Sequence, residues 1–139
     1  MSTFSELEMR ILSELEEAGE EDVLTLVVTA MEPIGDANEV EQLCGALNNL
    51  VGADLVRMSV DRDAARRLRA LTQDESLAVI AELPANLRYN HEGRHWTDMR
   101  HAGPPYGSPF PYVLGTDSGI ARALEILHER GYQWWRQAQ

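Results

Sequence analysis

The chain predicts a single-domain α+β fold: a three-helix cluster, then a small antiparallel sheet, then a further hairpin and helix. Three observations predict it. Residues 4–52 carry three apolar runs at helical spacing, and residues 55–60 switch to the alternation of a half-buried strand. Strand-like and helix-like stretches then alternate to the end of the 139 residues, a length that fits one core. A domain of this size buries roughly 68% of its unfolded surface, enough to fold without disulfides or metals.

The first helix is expected from Phe4 to Ala18. Thr3 and Glu6 form a capping box, each side chain satisfying an orphan backbone N–H of the other. Phe4, Leu7, Ile11, Leu12 and Leu15 form its apolar stripe, and Gly19 offers a left-handed stop. Glu14, Glu16 and Glu17 fall near its C-terminus, where the macrodipole disfavours acids, and read as a solvated face. The second helix is expected from Asp22 to Met31. Its β-branched residues Val23, Thr25, Val27, Val28 and Thr29 also suit a strand, but Asp22 can cap a helix and Pro33 blocks its continuation.

The third helix opens on Asp36 with Glu39 in the box position. Val40, Leu43, Cys44, Leu47, Leu50 and Val51 make one stripe, and Gly52 ends it. Leu55–Val60 then alternates as a half-buried strand. A polar turn through Asp61–Asp63 leads to a second alternating stretch, Arg67–Leu71. Thr72 and Glu75 cap a fourth helix expected to run to Leu83, before Pro84.

Helix, helix, helix, strand pair, helix resembles the winged helix-turn-helix family of bacterial transcription regulators. The residues that carry the resemblance are Ala46-Leu47-Asn48-Asn49-Leu50-Val51-Gly52-Ala53-Asp54-Leu55-Val56-Arg57, similar to the family's passage from recognition helix into first wing strand. On that basis residues 1–83 form a winged-helix core, with a three-helix cluster and a β-wing. Residues 84–139 form a C-terminal extension packed on the same domain.

In the extension, Leu87–Tyr89 and Arg94–Thr97 suggest a hairpin turning at Gly93, and Gly103–Pro111 holds four of the six prolines and reads as an extended loop. Tyr112–Leu114 reads as a short strand. Thr116 or Asp117 caps a last helix containing Ile120, Ala123, Leu124 and Leu127, with Gly131 as its stop. Thr116-Asp117-Ser118-Gly119 also matches the Thr-x-x-Gly step that follows the second wing strand in the family, whereas Glu75 stands where Thr72 would need that glycine. A wing closing at residue 112 around a large insertion is therefore the alternative to one closing at Leu71.

The charge is uneven. Residues 1–54 hold thirteen acids against Arg10 alone, giving −12, and residues 55–139 hold eleven arginines against ten acids, giving +1. An acidic front end repels nucleic acid and anionic membrane at long range, so any phosphate contact needs a local patch. Arg57, Arg62, Arg66, Arg67 and Arg69 supply one, outweighing Asp61 and Asp63.

In the winged-helix family the third helix enters the major groove and the wing contacts backbone. The resemblance thus implies that Gln42 and Asn49 are the base readers and the five arginines the phosphate contacts. The third helix carries no arginine, however, and Glu39 and Glu41 lie on it. The alternative is therefore an acidic protein-interaction module for a basic partner. Tyr132, Trp134 and Trp135, after the last helix, read as interface anchors docking on this subunit or on a twin, and a homodimer is expected.

His91-Glu92-Gly93-Arg94-His95 matches HExxH, and His101 falls at a third-ligand spacing. A zinc enzyme needs both histidines on one helix face, yet Gly93 and Arg94 would sit inside it and the Leu87–Tyr89 alternation argues for a hairpin. No metal, no cofactor and no catalysis are expected. The single cysteine, Cys44, reads as a buried inert thiol, and no apolar run reaches the roughly 20 residues that span a bilayer. A cytoplasmic regulatory protein with duplex DNA or a basic protein as partner is the overall expectation.

Overall fold

The computed structural model describes residues 4–19, 21–31, 37–90, 92, 95–98 and 111–136. In chain order these form α1 (Glu6–Ala18), β1 (Glu21–Asp22), α2 (Val23–Ala30), α3 (Ala37–Gly52), β2 (Val56–Ser59), α4 (Gln73–Asn86), β3 (Leu87–Asn90), β4 (His95–Asp98), β5 (Tyr112–Gly115), α5 (Asp117–Arg130) and a short 3-10 turn at Trp134–Arg136. The mixed α+β class is as expected.

Capping sets the helix starts. α1 begins two residues later than expected, because Ser5 and Glu8, not Thr3 and Glu6, make the capping box. Ser5 Oγ accepts from the Glu8 N–H at 3.1 Å, and Glu8 Oε1 accepts from the Ser5 N–H at 3.0 Å. α2 is a helix despite its β-branched composition. The Asp22 carboxylate accepts from both the N–H and the hydroxyl of Thr25, each at 2.9 Å. Its C-terminal carbonyls, orphaned by the helix end, find side chains elsewhere: Ala30 O accepts from Arg10 and Thr29 O from the Trp135 indole. Asp36, the expected cap of α3, lies outside the described residues.

α3 stops in a manner the sequence did not suggest. Gly52 is still helical, and Asp54 takes the left-handed conformation at φ +63°. The Leu55 N–H reaches back to Leu50 O and the Asp54 N–H to Val51 O, the paired bonds of a Schellman stop. Aspartate tolerates that conformation because its short polar side chain can bond locally, here to Arg57. Gln73 Nε2 also donates to the Val51 carbonyl at 2.9 Å.

The three-stranded sheet has the order β1-β5-β2, antiparallel throughout. Val56 to Ser59 of β2 face Gly115 to Tyr112 of β5, and Glu21 and Asp22 face Val113 and Tyr112. Arg67–Leu71 is therefore not the strand that pairs with β2. Val56, Met58 and Ser59 are fully buried, so their neighbour must be apolar; β5 supplies Val113, whereas the Arg-Leu-Arg-Ala-Leu stretch is largely exposed. That stretch turns back on the chain just before it, with the Asp63 N–H donating to Arg67 O at 2.8 Å and the Arg69 N–H to Asp61 O at 3.0 Å around an isolated Arg62–Leu68 bridge. It meets the outer edge of β2 through a bond from the Leu71 N–H to Met58 O.

The middle strand of the sheet thus comes from residues 112–115, beyond the expected boundary at residue 83. α5 packs on α1 and α4 on α3. The core runs through Ile11, Leu12, Leu26, Leu43, Leu47, Leu50, Val56, Met58, Ile80, Leu83 and Val113. Glu14, expected on a solvated face, is buried, because α1 is covered by α2, α3, β5 and α5.

α4 continues past Leu83 and includes Pro84. Proline lacks the N–H that would bond to Ile80 O, and the Cys44 thiol approaches that carbonyl at 3.8 Å. The expected hairpin is present as β3 and β4, paired from Leu87↔Asp98 to Asn90↔His95 and held by an edge-to-face contact between Tyr89 and Trp96. Residues 103–110 of the expected loop lie outside the described residues.

Candidate functional site

α3 presents Asn38, Glu41, Gln42, Gly45, Asn48 and Asn49 to solvent, and residues 37–52 contain no cation. Gln42 stands at the meeting point of two open grooves between α3 and α1. One, of about 230 Å³, is lined by Glu6, Leu7, Arg10, Met31, Glu39 and Gln42. The other, of about 620 Å³, is lined by Phe4, Leu7, Glu8, Gln42, Gly45 and Asn49. Apolar side chains therefore alternate with three carboxylates along the two grooves, against the single cation of Arg10.

The two expected base readers differ in what they offer. Gln42 is exposed. Asn49 is exposed as well, but its Nδ2 donates to Glu8 Oε2 at 3.2 Å, and the other oxygen of that carboxylate caps α1. A bidentate pairing to adenine needs both the oxygen and the nitrogen of the amide, so Asn49 must first release Glu8. Glu39 does not face outward with Glu41: it is buried and accepts from Trp96 Nε1 at 3.4 Å. The Arg10 guanidinium donates to Glu6 Oε2 at 3.1 Å and to Ala30 O at 3.4 Å, while its buried Nε makes no hydrogen bond among the described residues.

The five arginines lie on β2 and in the loop after it. Arg57 pairs with Asp54. Arg67 pairs with Asp63 and Arg69 with Asp61, each at 3.7 Å. Arg62 donates to Arg66 O at 2.8 Å and lies over the Tyr112 ring, 5.3 Å from its centroid. Asp63 organises this loop by accepting from the N–H groups of Ala65 and Arg67 at 2.8 and 3.0 Å. Arg66 sits at its tip with φ +65° and makes no ion pair among the described residues. Asp54 thus joins Asp61 and Asp63, and three of the five cations are matched by an aspartate close by in the chain. Exposed pairs of this kind are worth about 1 kcal/mol or less and yield to a phosphate, but each reduces the local field.

The aromatic residues after α5 are divided. Trp135 is buried, with Nε1 donating to Thr29 O at 2.9 Å. Trp134 donates to Ser13 Oγ at 3.0 Å and carries Arg130 over its ring at 4.5 Å. Both tryptophans are engaged within this chain, one of the two docking places expected for them. Tyr132 is 65% exposed.

Of the HExxH residues, the two that are described are not helical. Glu92 lies in the turn between β3 and β4 and His95 begins β4, while His91, Gly93, Arg94 and His101 lie outside the described residues. Among the described residues no group of three His, Cys, Asp or Glu side chains could hold a metal ion. Burial pushes the Cys44 thiol up to about 11, so it is protonated and unreactive at neutral pH.

No family model, no curated protein and no solved structure matches the chain. No described helix is long and apolar enough to cross a membrane.

Sequence reasoning missed one junction that holds these surfaces in place. Thr116 caps α5 by accepting from the Gly119 N–H at 3.0 Å, donates its hydroxyl to Asp54 O at 2.7 Å, and donates its N–H to Leu55 O at 3.0 Å. Gly119 lies so close that a Cβ there would fall 2.9 Å from the carbonyl carbon of Leu55 and closer still to its oxygen. The Thr-x-x-Gly spacing was the visible signal for it.

Proposed function

We propose that this chain is a winged-helix regulatory module whose α1–α3 face binds a basic protein segment rather than duplex DNA. The order α1-β1-α2-α3-β2, closed by a later strand between β1 and β2, supports the winged-helix reading. The observation that carries the partner class is the α3 face itself. Its grooves are lined by Phe4, Leu7 and Met31 together with Glu6, Glu8 and Glu39, and residues 37–52 of α3 hold no cation. Apolar lining accepts anchoring side chains, and the carboxylates favour flanking lysine or arginine. A phosphate backbone meets the opposite field.

The experiment compares two probes at low salt: a random-sequence DNA duplex, and an amphipathic peptide with one apolar face and flanking arginines. The expected result is saturable peptide binding that Gln42→Arg weakens about tenfold, and no retention on duplex. Duplex binding that is lost in Arg66→Ala/Arg67→Ala/Arg69→Ala, with a flatter salt dependence, overturns this reading in favour of a DNA-binding wing.

A further inference from the structure

We propose that α5 is a self-association helix, and that a second copy of this chain packs antiparallel along its outer face. Among the described residues the large exposed hydrophobics are Ile120, Leu124 and Tyr132, all on α5 or just beyond it, with Ile120 41% and Leu124 46% exposed. Ile120 and Leu124 are one turn apart and therefore neighbours, and Ala121 is exposed beside them. An apolar groove of about 400 Å³ opens next to this patch between α1, β5 and α5, lined by Leu12, Leu15, Leu114 and Ile120 among others. The apolar surface thus extends beyond the helix itself.

The pattern along the helix chooses the occupant. Asp117, Ala121, Leu124 and His128 are all exposed and recur at steps of four, three and four residues, the spacing of a helix–helix seam. The two ends of this seam are chemically opposite: Asp117 is the acid of the first turn and His128 a base of the last. Neither makes an ion pair among the described residues.

Laid against its own copy with the two-fold axis between Arg122 and Ala123, the helix sets Leu124 against Ala121 of the other copy. The same axis sets Asp117 against His128. The small alanine leaves room for the leucine, and the acid meets a nitrogen donor. Both pairs share one centre, so a single two-fold operation satisfies each of them twice. An isologous interface requires that self-complementarity. Glu125 borders the seam; Arg122, further round the helix, donates to it at 3.0 Å and lies over the Phe4 ring of its own chain. A parallel arrangement would instead oppose Asp117 to Asp117, which like-charge repulsion disfavours.

This inference does not depend on what the α3 face binds. Its test is the mass of the full chain by sedimentation equilibrium at concentrations up to about 1 mM, a range that detects weak self-association. The wild-type chain is expected to be a dimer. Leu124→Asp, at an exposed position that leaves the thermal melt of the monomer cooperative, is expected to raise the dissociation constant at least about tenfold. The two substitutions at His128 set the orientation. His128→Lys is expected to tighten the dimer and His128→Asp to loosen it, each by about threefold, because both face Asp117. A parallel seam would set either new charge against its own copy, and both variants would loosen it. A monomeric wild-type chain, a dimer indifferent to Leu124→Asp, or His128 variants that shift the constant in the same direction each overturns the proposal.

Discussion

A methyl group on Gly119 would overlap the Leu55 carbonyl, which already accepts the Thr116 N–H, so neither the carbonyl nor the helix start can move without breaking the junction. Gly119→Ala is expected to cost about 2–4 kcal/mol by denaturant unfolding. Gly115→Ala is the control: its Cβ would meet Ile120 Cγ1 at 3.4 Å, an ordinary contact, and a change within about 1 kcal/mol is expected. A loss at Gly119 no larger than at Gly115 refutes the close approach.

Cys44 gives a pH prediction at the same scale. Its thiol is raised in the folded chain from 9.0 to about 11 by burial, so between those values the unfolded chain has released the proton and the folded chain has not. The folded state then binds more protons, and its stability falls as pH rises through that window. Cys44→Ala should flatten this part of the stability–pH curve, read by thermal melts from about pH 8 upward.

At the scale of elements, α4 shows how a helix can run through a proline. Pro84 lies in the last turn, and the one carbonyl it deprives, on Ile80, is met by the Cys44 thiol instead. A thiol is a weak donor, so Pro84→Ala, which restores the backbone N–H, is expected to stabilise the chain by about 1 kcal/mol or more. An unchanged midpoint in urea would show that the backbone there is already fully satisfied. The start of the same helix is acid-sensitive. Hydrogen bonds from Thr72 hold the Glu75 carboxyl below its ordinary range, so this cap contributes above that range and its contribution is lost as pH falls through the depressed value.

The helices were legible because their signals are local: Asp22, Thr72 and Thr116 each act within three residues, and at α1 the same local rule held with Ser5 and Glu8 in place of the expected Thr3 and Glu6. The partner of β2 was legible only as the alternative, through the Thr-x-x-Gly step at Thr116, because pairing is decided by burial on both faces and the local pattern of Arg67–Leu71 imitates a strand although it stays largely exposed. Gln42 and Asn49 could be placed on the outer face of α3 by counting. The bond from Asn49 to Glu8 spans 41 residues and leaves no mark on either neighbourhood.

For the whole molecule, the segment after α5 closes the structure. Trp135 is 5% exposed and satisfies the end of α2, while Trp134 and the Gln133 N–H, which donates to Glu17 at 2.8 Å, tie down α1. Trp135→Ala should cost about 3–5 kcal/mol, against a near-neutral Tyr132→Ala, by calorimetry of both variants. A fragment of residues 1–83 is expected to lack a cooperative melt, since the middle strand of its sheet is 112–115. The placement of that strand also has a consequence for how the protein is made. As the chain leaves the ribosome, Val56 and Met58 emerge about fifty residues ahead of the segment that will cover them. At roughly 5–20 residues per second that leaves them bare for several seconds, a window in which a nascent-chain chaperone has something sticky to hold.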